Sequence, residues 1–242
     1  MSADLDRRVV QLRKASSIEE AAHQVRLSVW NNRFELFSGV VPENPLDMLE
    51  PGVALHLRGF KVETAIDLGE MFDSGRRVRV AGLIDQHKKT VRIAAGLTPQ
   101  EARFTAGHEL GHAVLHPTMT GMHRDRSVSG PVYRKEKVEI DADRFTSAFL
   151  MSPKLLLREF SNRFDAVVFR LNNDSVFGLG IGRTVHKFRN TRDVSYVVAN
   201  ATSYMGQYFP SLADVFRVSP TTMAIRLEEL GAIEDFSSRR MW

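Results

Sequence analysis

The sequence predicts an α+β fold in which a small antiparallel or mixed sheet packs on one buried helix, with helices before this core and a mainly helical region after it. Strand-like runs at 60–66, 78–84 and 90–94 predict the sheet, and the last of them alternates as a half-exposed strand does. The stretch at 98–116 is apolar or small almost all round, which predicts a buried helix. Apolar residues recur at helical spacing after residue 135, so helices dominate the remainder of the chain.

Length and composition place few limits on function. With 242 residues, 43% of them hydrophobic and 26% charged, the chain is long enough for a substantial core and ordinary in composition. The net charge of +4 suits an acidic or nucleic-acid-associated partner without requiring one. The absence of cysteine excludes both a disulfide framework and thiolate metal ligands. No apolar run is long enough for a signal peptide or a membrane span, so we expect a cytoplasmic protein without a membrane partner.

Breaks in the pattern divide the chain into three predicted parts. Residues 1–41 form an N-terminal helical segment, and the prolines at 42 and 45 end it. Residues 42–160 carry the strands and the buried helix, and they are predicted to form the domain with the chemistry. Residues 161–242 form a C-terminal region that ends in a pattern resembling a helix-turn-helix.

The N-terminal segment is predicted to contain helices at 4–14 and 17–30. Val25, Val29 and Trp30 are expected to dock the second helix on the core. Simple packing explains both helices, and the alternative is an arm that holds a partner.

The buried helix has clear sequence signals at both ends. Thr98, Pro99 and Glu101 predict an N-cap, a proline at the first helical position and a glutamate that completes a capping box. His116 and Pro117 predict its end.

Within this helix, His-Glu-x-x-His at 108–112 predicts a metal site. His108 and His112 lie one turn apart on one face, where two imidazoles bind a divalent metal, usually zinc. Glu109 lies about 100° round the helix and is the candidate general base for a metal-activated water. A helix with two solvated histidines is the alternative, but the apolar flanks favour a buried, metal-bound pair. His116 lies two turns from His108, beyond the metal, and is interpreted as structural.

Such a site requires a third protein ligand from a downstream helix, predicted at 135–151. Glu139 and Asp143 lie one turn apart there, and this pattern resembles that of the gluzincin metallopeptidases. The resemblance implies that Glu139 is the third ligand and that Asp143 hydrogen-bonds the far nitrogen of a ligand histidine. The alternative is a charged helix face beside Lys135, Lys137 and Arg144.

Two segments sharpen the resemblance. Residues 103–116, RFTAGHELGHAVLH, and 139–153, EIDADRFTSAFLMSP, resemble the two signatures of the ImmA/IrrE family of zinc peptidases, in the expected order. The similarity extends over about residues 45–160, and Thr146 departs from the alanine that is usual in the family. The resemblance implies a minimal gluzincin-like core, one zinc ion per chain, and an endopeptidase that cleaves a helix-turn-helix repressor or an antitoxin-like protein.

Residues 118–134 are predicted to form a long loop, a kind of segment that is often functional. It contains His123, Arg124, Arg126 and Tyr133. His123 and Tyr133 are the candidates for stabilising the oxyanion of a hydrolytic reaction, and a solvated loop residue is the alternative for each.

Residues 211–231 predict the helix-turn-helix-like pair, with the second helix beginning at Ser219. A DNA-reading helix needs basic residues near its start, whereas this one has Arg226 further along and Glu228 and Glu229 near its end. Arg226 is expected to be exposed. Packing or recognition of a protein is therefore favoured over DNA binding.

Two functions remain in competition. The first is a zinc-dependent endopeptidase that acts on a regulatory protein; the second is a non-catalytic zinc-containing transcriptional regulator or a protein- or DNA-binding module. Glu109 favours the first, because a structural zinc site has no use for a general base and normally has four protein ligands.

Overall fold

The computed structural model describes residues 17–73, 76–118, 122–126, 137–184, 186 and 188–235. The helix predicted at 4–14 lies outside these residues. Contacts divide the chain into two compact units, one within residues 13–150 and the other, in its described part, within 151–235. Helices and strands are both present and segregated along the chain, which confirms the predicted α+β class.

The first unit begins with helices and continues with strands. It ends with two long helices, and one further strand lies between them in the sequence. In chain order its described elements are α1 (Ser17–Asn31), α2 (Arg33–Leu36), a 3-10 turn (Pro45–Met48), α3 (Pro51–Leu57), β1 (Lys61–Ala65), β2 (Glu70–Asp73), β3 (Arg76–Asp85), β4 (Thr90–Ala94), α4 (Pro99–Leu115), β5 (Met122–Arg126) and α5 (Lys137–Leu150).

The sheet is mixed and has β3 at its centre. Its order is β1-β4-β3-β2, and β5 also pairs with β3; β1 runs parallel to β4, while β3 is antiparallel to β2, β4 and β5. Residues 80–84 of β3 are all buried, as expected of a strand covered on both faces. In β4, Val91 and Ile93 are buried and Arg92 is exposed, which confirms the predicted alternation.

Two strands were not predicted. β5 lies within the stretch predicted as a loop, and β2 is only four residues long. The sequence Met-His-Arg-Asp-Arg of β5 has no apolar alternation, so its strand conformation depends on hydrogen bonds to β3, which a local pattern does not reveal.

Helix α1 confirms two of its three predicted docking residues. Val25 and Val29 are buried, but Trp30 is 46% exposed, so its predicted docking is wrong. Val25 and Val29 occupy one stripe, and Trp30 lies about 100° away from Val29 on the outer side. There its ring stacks with Arg33, whose Cζ atom is 4.2 Å from the ring centroid. Arg26 donates a hydrogen bond to the carbonyl of Ala148 and ties α1 to α5.

Helix α4 begins and ends as predicted. The Thr98 hydroxyl accepts from the Glu101 N–H and the Glu101 carboxylate accepts from the Thr98 N–H, completing the capping box. His116 is the C-cap residue. Arg103 donates to Glu50 Oε1 over 3.2 Å and to the Leu49 carbonyl over 2.7 Å, which fixes the first half of α4 against the segment before α3.

The second unit is mainly helical, with one short hairpin. Its described elements are α6 (Pro153–Phe164), α7 (Asn173–Gly178), α8 (Thr191–Ala199), β6 (Ser203–Tyr204), β7 (Gln207–Tyr208), α9 (Leu212–Phe216) and α10 (Pro220–Glu229). Among the described residues, no helix combines the length and the apolar character needed to cross a membrane.

The predicted helix-turn-helix-like pair is α9 followed by α10. Arg217 ends α9 in the left-handed conformation, with φ of 52°, and the Ser219 side chain caps α10. Arg226 was expected to be exposed, and that expectation is wrong, because only 4% of its surface is accessible. Its Nε donates to the Met151 carbonyl over 3.3 Å and its Nη1 lies 3.1 Å from Glu229 Oε2, so the guanidinium is an internal packing element.

Candidate metal centre

The predicted site lies where α4 and α5 approach most closely, and two glycines allow that approach. A Cβ atom built on Gly107 would lie 2.5 Å from Cγ2 of Thr146, and one on Gly111 would lie 3.0 Å from both Cα and the carbonyl oxygen of Ala142. The glycines are one turn apart on α4, and Ala142 and Thr146 are one turn apart on α5. The two helices therefore meet along a strip of small side chains.

Thr146 is the residue that departs from the alanine usual at this position of the resembled family. Its hydroxyl donates to the Ala142 carbonyl one turn earlier, over 2.8 Å, which satisfies the buried donor within α5. Its methyl group takes the space beside Gly107. The larger side chain is thus accommodated because the opposing residue has no Cβ.

The close contact brings three ligand groups together. Nε2 of His108 lies 2.9 Å from Nε2 of His112 and 3.2 Å from Oε2 of Glu139. Nε2 of His112 lies 3.6 Å from Oε1 of Glu139. Both imidazoles are buried. One ligand atom from each residue lies within 4.8 Å of the other two. Two imidazole nitrogens and a carboxylate oxygen that converge on one buried point form a donor set that fits a divalent metal ion.

Asp143 lies on the far side of the His108 ring. Its Oδ1 is 2.9 Å from Nδ1 of His108. A carboxylate at this position accepts a hydrogen bond from Nδ1–H, which leaves the Nε2 lone pair directed at Glu139 and His112. The geometry therefore matches the role that the family resemblance implied for Asp143.

Replacing Asp143 with alanine is expected to weaken metal binding about 10–100-fold without abolishing it, because the ring of His108 loses its orienting acceptor. Competition with a chromophoric chelator measures the change in Kd. Asp141→Ala on the same helix is the matched control, since it removes an equal charge and leaves the His108 contact intact. Equal affinities for the two variants would show that Asp143 is only a surface charge.

Glu109 is fully buried, between the two histidines in sequence. Its carboxylate faces β3, since a Cβ atom built on Gly82 would overlap Oε1 of Glu109. This buried carboxylate is therefore carried on the same turn of α4 as His108 and His112 and lies against β3.

One contact of the site was not predicted. Gln86 is buried, and its Nε2 donates to the carbonyl of His112 over 3.2 Å, which fixes the backbone of a ligand residue.

Gln86 stands in the turn after β3, where Asp85 accepts from the N–H groups of Lys88 and His87 over 2.9 and 3.1 Å. The Lys88 bond, with the His87 bond, holds the pKa of Asp85 below its usual value. His87 itself is exposed, as predicted for a turn residue.

Among the described residues, His116 is not part of the ligand set. His116 caps α4, and its ring centroid is 5.6 Å from that of His112. His123 is on β5 opposite Ile84, and Tyr133 lies outside the described residues. Their proposed role at an oxyanion stays a prediction.

The α+β core and its His-His-Glu cluster, in which both histidines are buried, fit a metallopeptidase-type domain. Residues 64–173 match the family model of the M78 peptidases, described as the IrrE N-terminal-like domain, and this match supports an ImmA/IrrE family metallopeptidase. A comparison with curated proteins gives no match.

Proposed function

We propose that this protein is a zinc-dependent endopeptidase that cleaves a regulatory protein, either a helix-turn-helix repressor or an antitoxin-like protein. The observation that carries the proposal is a three-residue ligand set with the buried residue Glu109 on the same turn of α4 as His108 and His112. Structural zinc sites use four protein ligands, whereas catalytic sites use three and leave room for water or substrate. In the part of the chain that the structure describes, three ligands converge, and Glu109 is not one of them.

His108, His112 and Glu139 would hold the ion. When bound, zinc supplies Lewis-acid activation of the water and of the peptide carbonyl. The Glu109 carboxylate accepts a proton from the attacking water and transfers it to the amide nitrogen as the peptide bond breaks, so the carboxylate is regenerated. A donor from residues 118–134, His123 or Tyr133, is proposed to hydrogen-bond the oxyanion.

The second unit supports recognition of a protein over recognition of DNA. On α10, the exposed residues include Thr221, Ile225 and Glu229, and the only arginine of this helix is buried. Glu228 binds Arg192 of α8 through two hydrogen bonds of 2.7 and 2.8 Å. The exposed residues of α10 itself therefore offer DNA phosphates no basic group, whereas an apolar residue with polar neighbours suits a protein surface.

The test of the proposed activity does not require a known substrate. Extracts of cells that produce the wild-type chain are compared with extracts of cells that produce Glu109→Gln, and newly formed protein N-termini are enriched and identified by mass spectrometry. We expect a small set of new N-termini that depends on Glu109 and maps to a helix-turn-helix repressor or antitoxin-like protein. Identical N-termini in both extracts would favour the alternative, a non-catalytic zinc-containing regulator.

We expect Ile225→Asp to raise the substrate concentration required for half-maximal cleavage by roughly fivefold or more, because it places a charge at the centre of the proposed contact surface. The value of kcat should stay the same. The control is Phe177→Asp on α7, which adds an equal charge at another exposed hydrophobic residue of the same unit. Salt-sensitive binding of duplex DNA that Ile225→Asp abolishes, with cleavage unchanged, would instead show that α10 contacts DNA.

A further inference from the structure

We propose that Gly82 on β3 and Thr105 on α4 are positioning residues that fix the side chain of Glu109. The strand beside the helix would then set the orientation of this carboxylate, in addition to the helix that carries it. The catalytic consequence rests on the function proposed above, whereas the contact itself can be tested without any activity.

The backbone of Gly82 is held from both sides of the strand. It pairs with Ile93 of β4 and with Asp125 of β5, and the register of β3 against β5 shifts between Val80 and Gly82. Such irregularities bend a strand locally and change the direction of its neighbouring residues. Because β3 is paired with a strand on each edge, it cannot easily move away from α4.

Strand β3 is in contact with Glu109 because residue 82 has no side chain. A Cβ atom at this position would overlap Oε1 of Glu109 and would lie 2.6 Å from Cγ2 of Thr105. The φ angle of Gly82 is not in the left-handed region, so backbone conformation does not require glycine here. The requirement comes from the space that Glu109 and Thr105 occupy.

Thr105 forms the second side of the enclosure. It lies one turn before Glu109 on α4 and is fully buried, and its hydroxyl has no hydrogen-bond partner among the described residues. A helical threonine commonly satisfies its hydroxyl on the carbonyl one turn earlier, as Thr146 does on α5. Thr105 does not form this bond, so an internal hydrogen bond does not explain why a polar residue lies in the core here. The contact of its methyl group with Gly82 explains it.

The enclosure restricts the side-chain torsions of Glu109. A glutamate side chain has three rotatable bonds, and a displacement of about 1 Å at a reacting group can reduce a rate about 100-fold. Fixing the carboxylate between Gly82 and Thr105 removes this freedom before any substrate binds.

The first test measures stability and uses thermal unfolding of the full-length chain. Gly82→Ala should lower the melting temperature by about 3–10 °C, the shift expected for one methyl group inserted into a packed core. Gly52→Ala is the matched control, since Gly52 lies in helix α3 with no atom in the way, and it should stabilise the protein slightly. In the Gly82→Ala background, Thr105→Ser removes the colliding methyl group and should recover part of the loss. Additive effects of the two changes would overturn the proposal, because residues in contact are expected to be coupled.

The second test measures cleavage of the substrate identified for the wild type. Gly82→Ala should lower kcat about 10–100-fold with KM and zinc content nearly unchanged, and adding Thr105→Ser should raise kcat again. If Gly82→Ala does not fold, two single variants decide: Thr105→Ser, which loses the methyl group, should lower kcat more than Thr105→Val, which keeps it. The reverse order would overturn the proposal. If the wild type cleaves nothing, the proposed function fails, and the stability measurements still decide whether Gly82 and Thr105 enclose Glu109.

Discussion

Replacing His108 and His112 together with alanine is expected to remove the bound zinc, reducing the content of the purified protein from about one ion per chain to background. The two Nε2 atoms are 2.9 Å apart and Glu139 contributes the remaining ligand, so the double variant keeps one ligand of three. A single carboxylate does not retain zinc against a chelator. Elemental analysis by mass spectrometry after dialysis measures the change.

Added zinc provides a second readout of the same variant. A ligand that binds only the folded protein stabilises it by about 4 kcal/mol at a free concentration 1,000 times its Kd. The wild type should therefore melt at a higher temperature with zinc, and the double variant should not respond. The matched control is His56→Ala combined with His87→Ala, because both of these histidines are exposed and neither belongs to the ligand set. Unchanged zinc content in the His108 and His112 variant would show that the metal is held elsewhere.

Glu109→Gln is expected to reduce the rate of substrate cleavage at least about 100-fold while the zinc content stays at that of the wild type. The amide has nearly the same shape as the carboxylate but cannot accept a proton from water. The unfolding temperature should not fall, since the substitution removes a charge from a fully buried position. Single-turnover cleavage with excess enzyme measures the chemical step separately from product release.

Glu63→Gln on β1 is the control for this substitution, because it changes the same functional group at a half-buried residue that does not belong to the ligand set. Its rate should equal that of the wild type. Cleavage by Glu109→Gln at the wild-type rate would exclude Glu109 as the general base and would leave a ligand set without an identified proton acceptor.

The helix that carries the site was predicted in detail because its signals are local. Thr98, Pro99 and Glu101 determine where α4 begins through bonds within one turn, and Pro117 follows its end. The one-turn spacing of His108 and His112 follows from helix geometry alone. Sequence therefore suffices wherever a feature depends on neighbours three or four residues apart.

Other features depend on contacts between distant parts of the chain, and these were missed. The strand conformation of β5 comes from pairing with β3, and the contact of Gln86 with His112 joins a turn to a helix. Arg226 illustrates the same limit, since its burial requires the Met151 carbonyl as an acceptor. A charged residue in a helical pattern predicts exposure unless such a partner is known.

Gly107 and Gly111 affect how chains of this kind should be recognised. Neither binds a metal or moves a proton, yet both stand where α5 comes closest to α4. A sequence with all three ligands but bulky residues at these two positions would hold its helices too far apart for Glu139 to reach the histidines. A search pattern for working sites should therefore require small residues beside the ligands as strictly as it requires the ligands themselves.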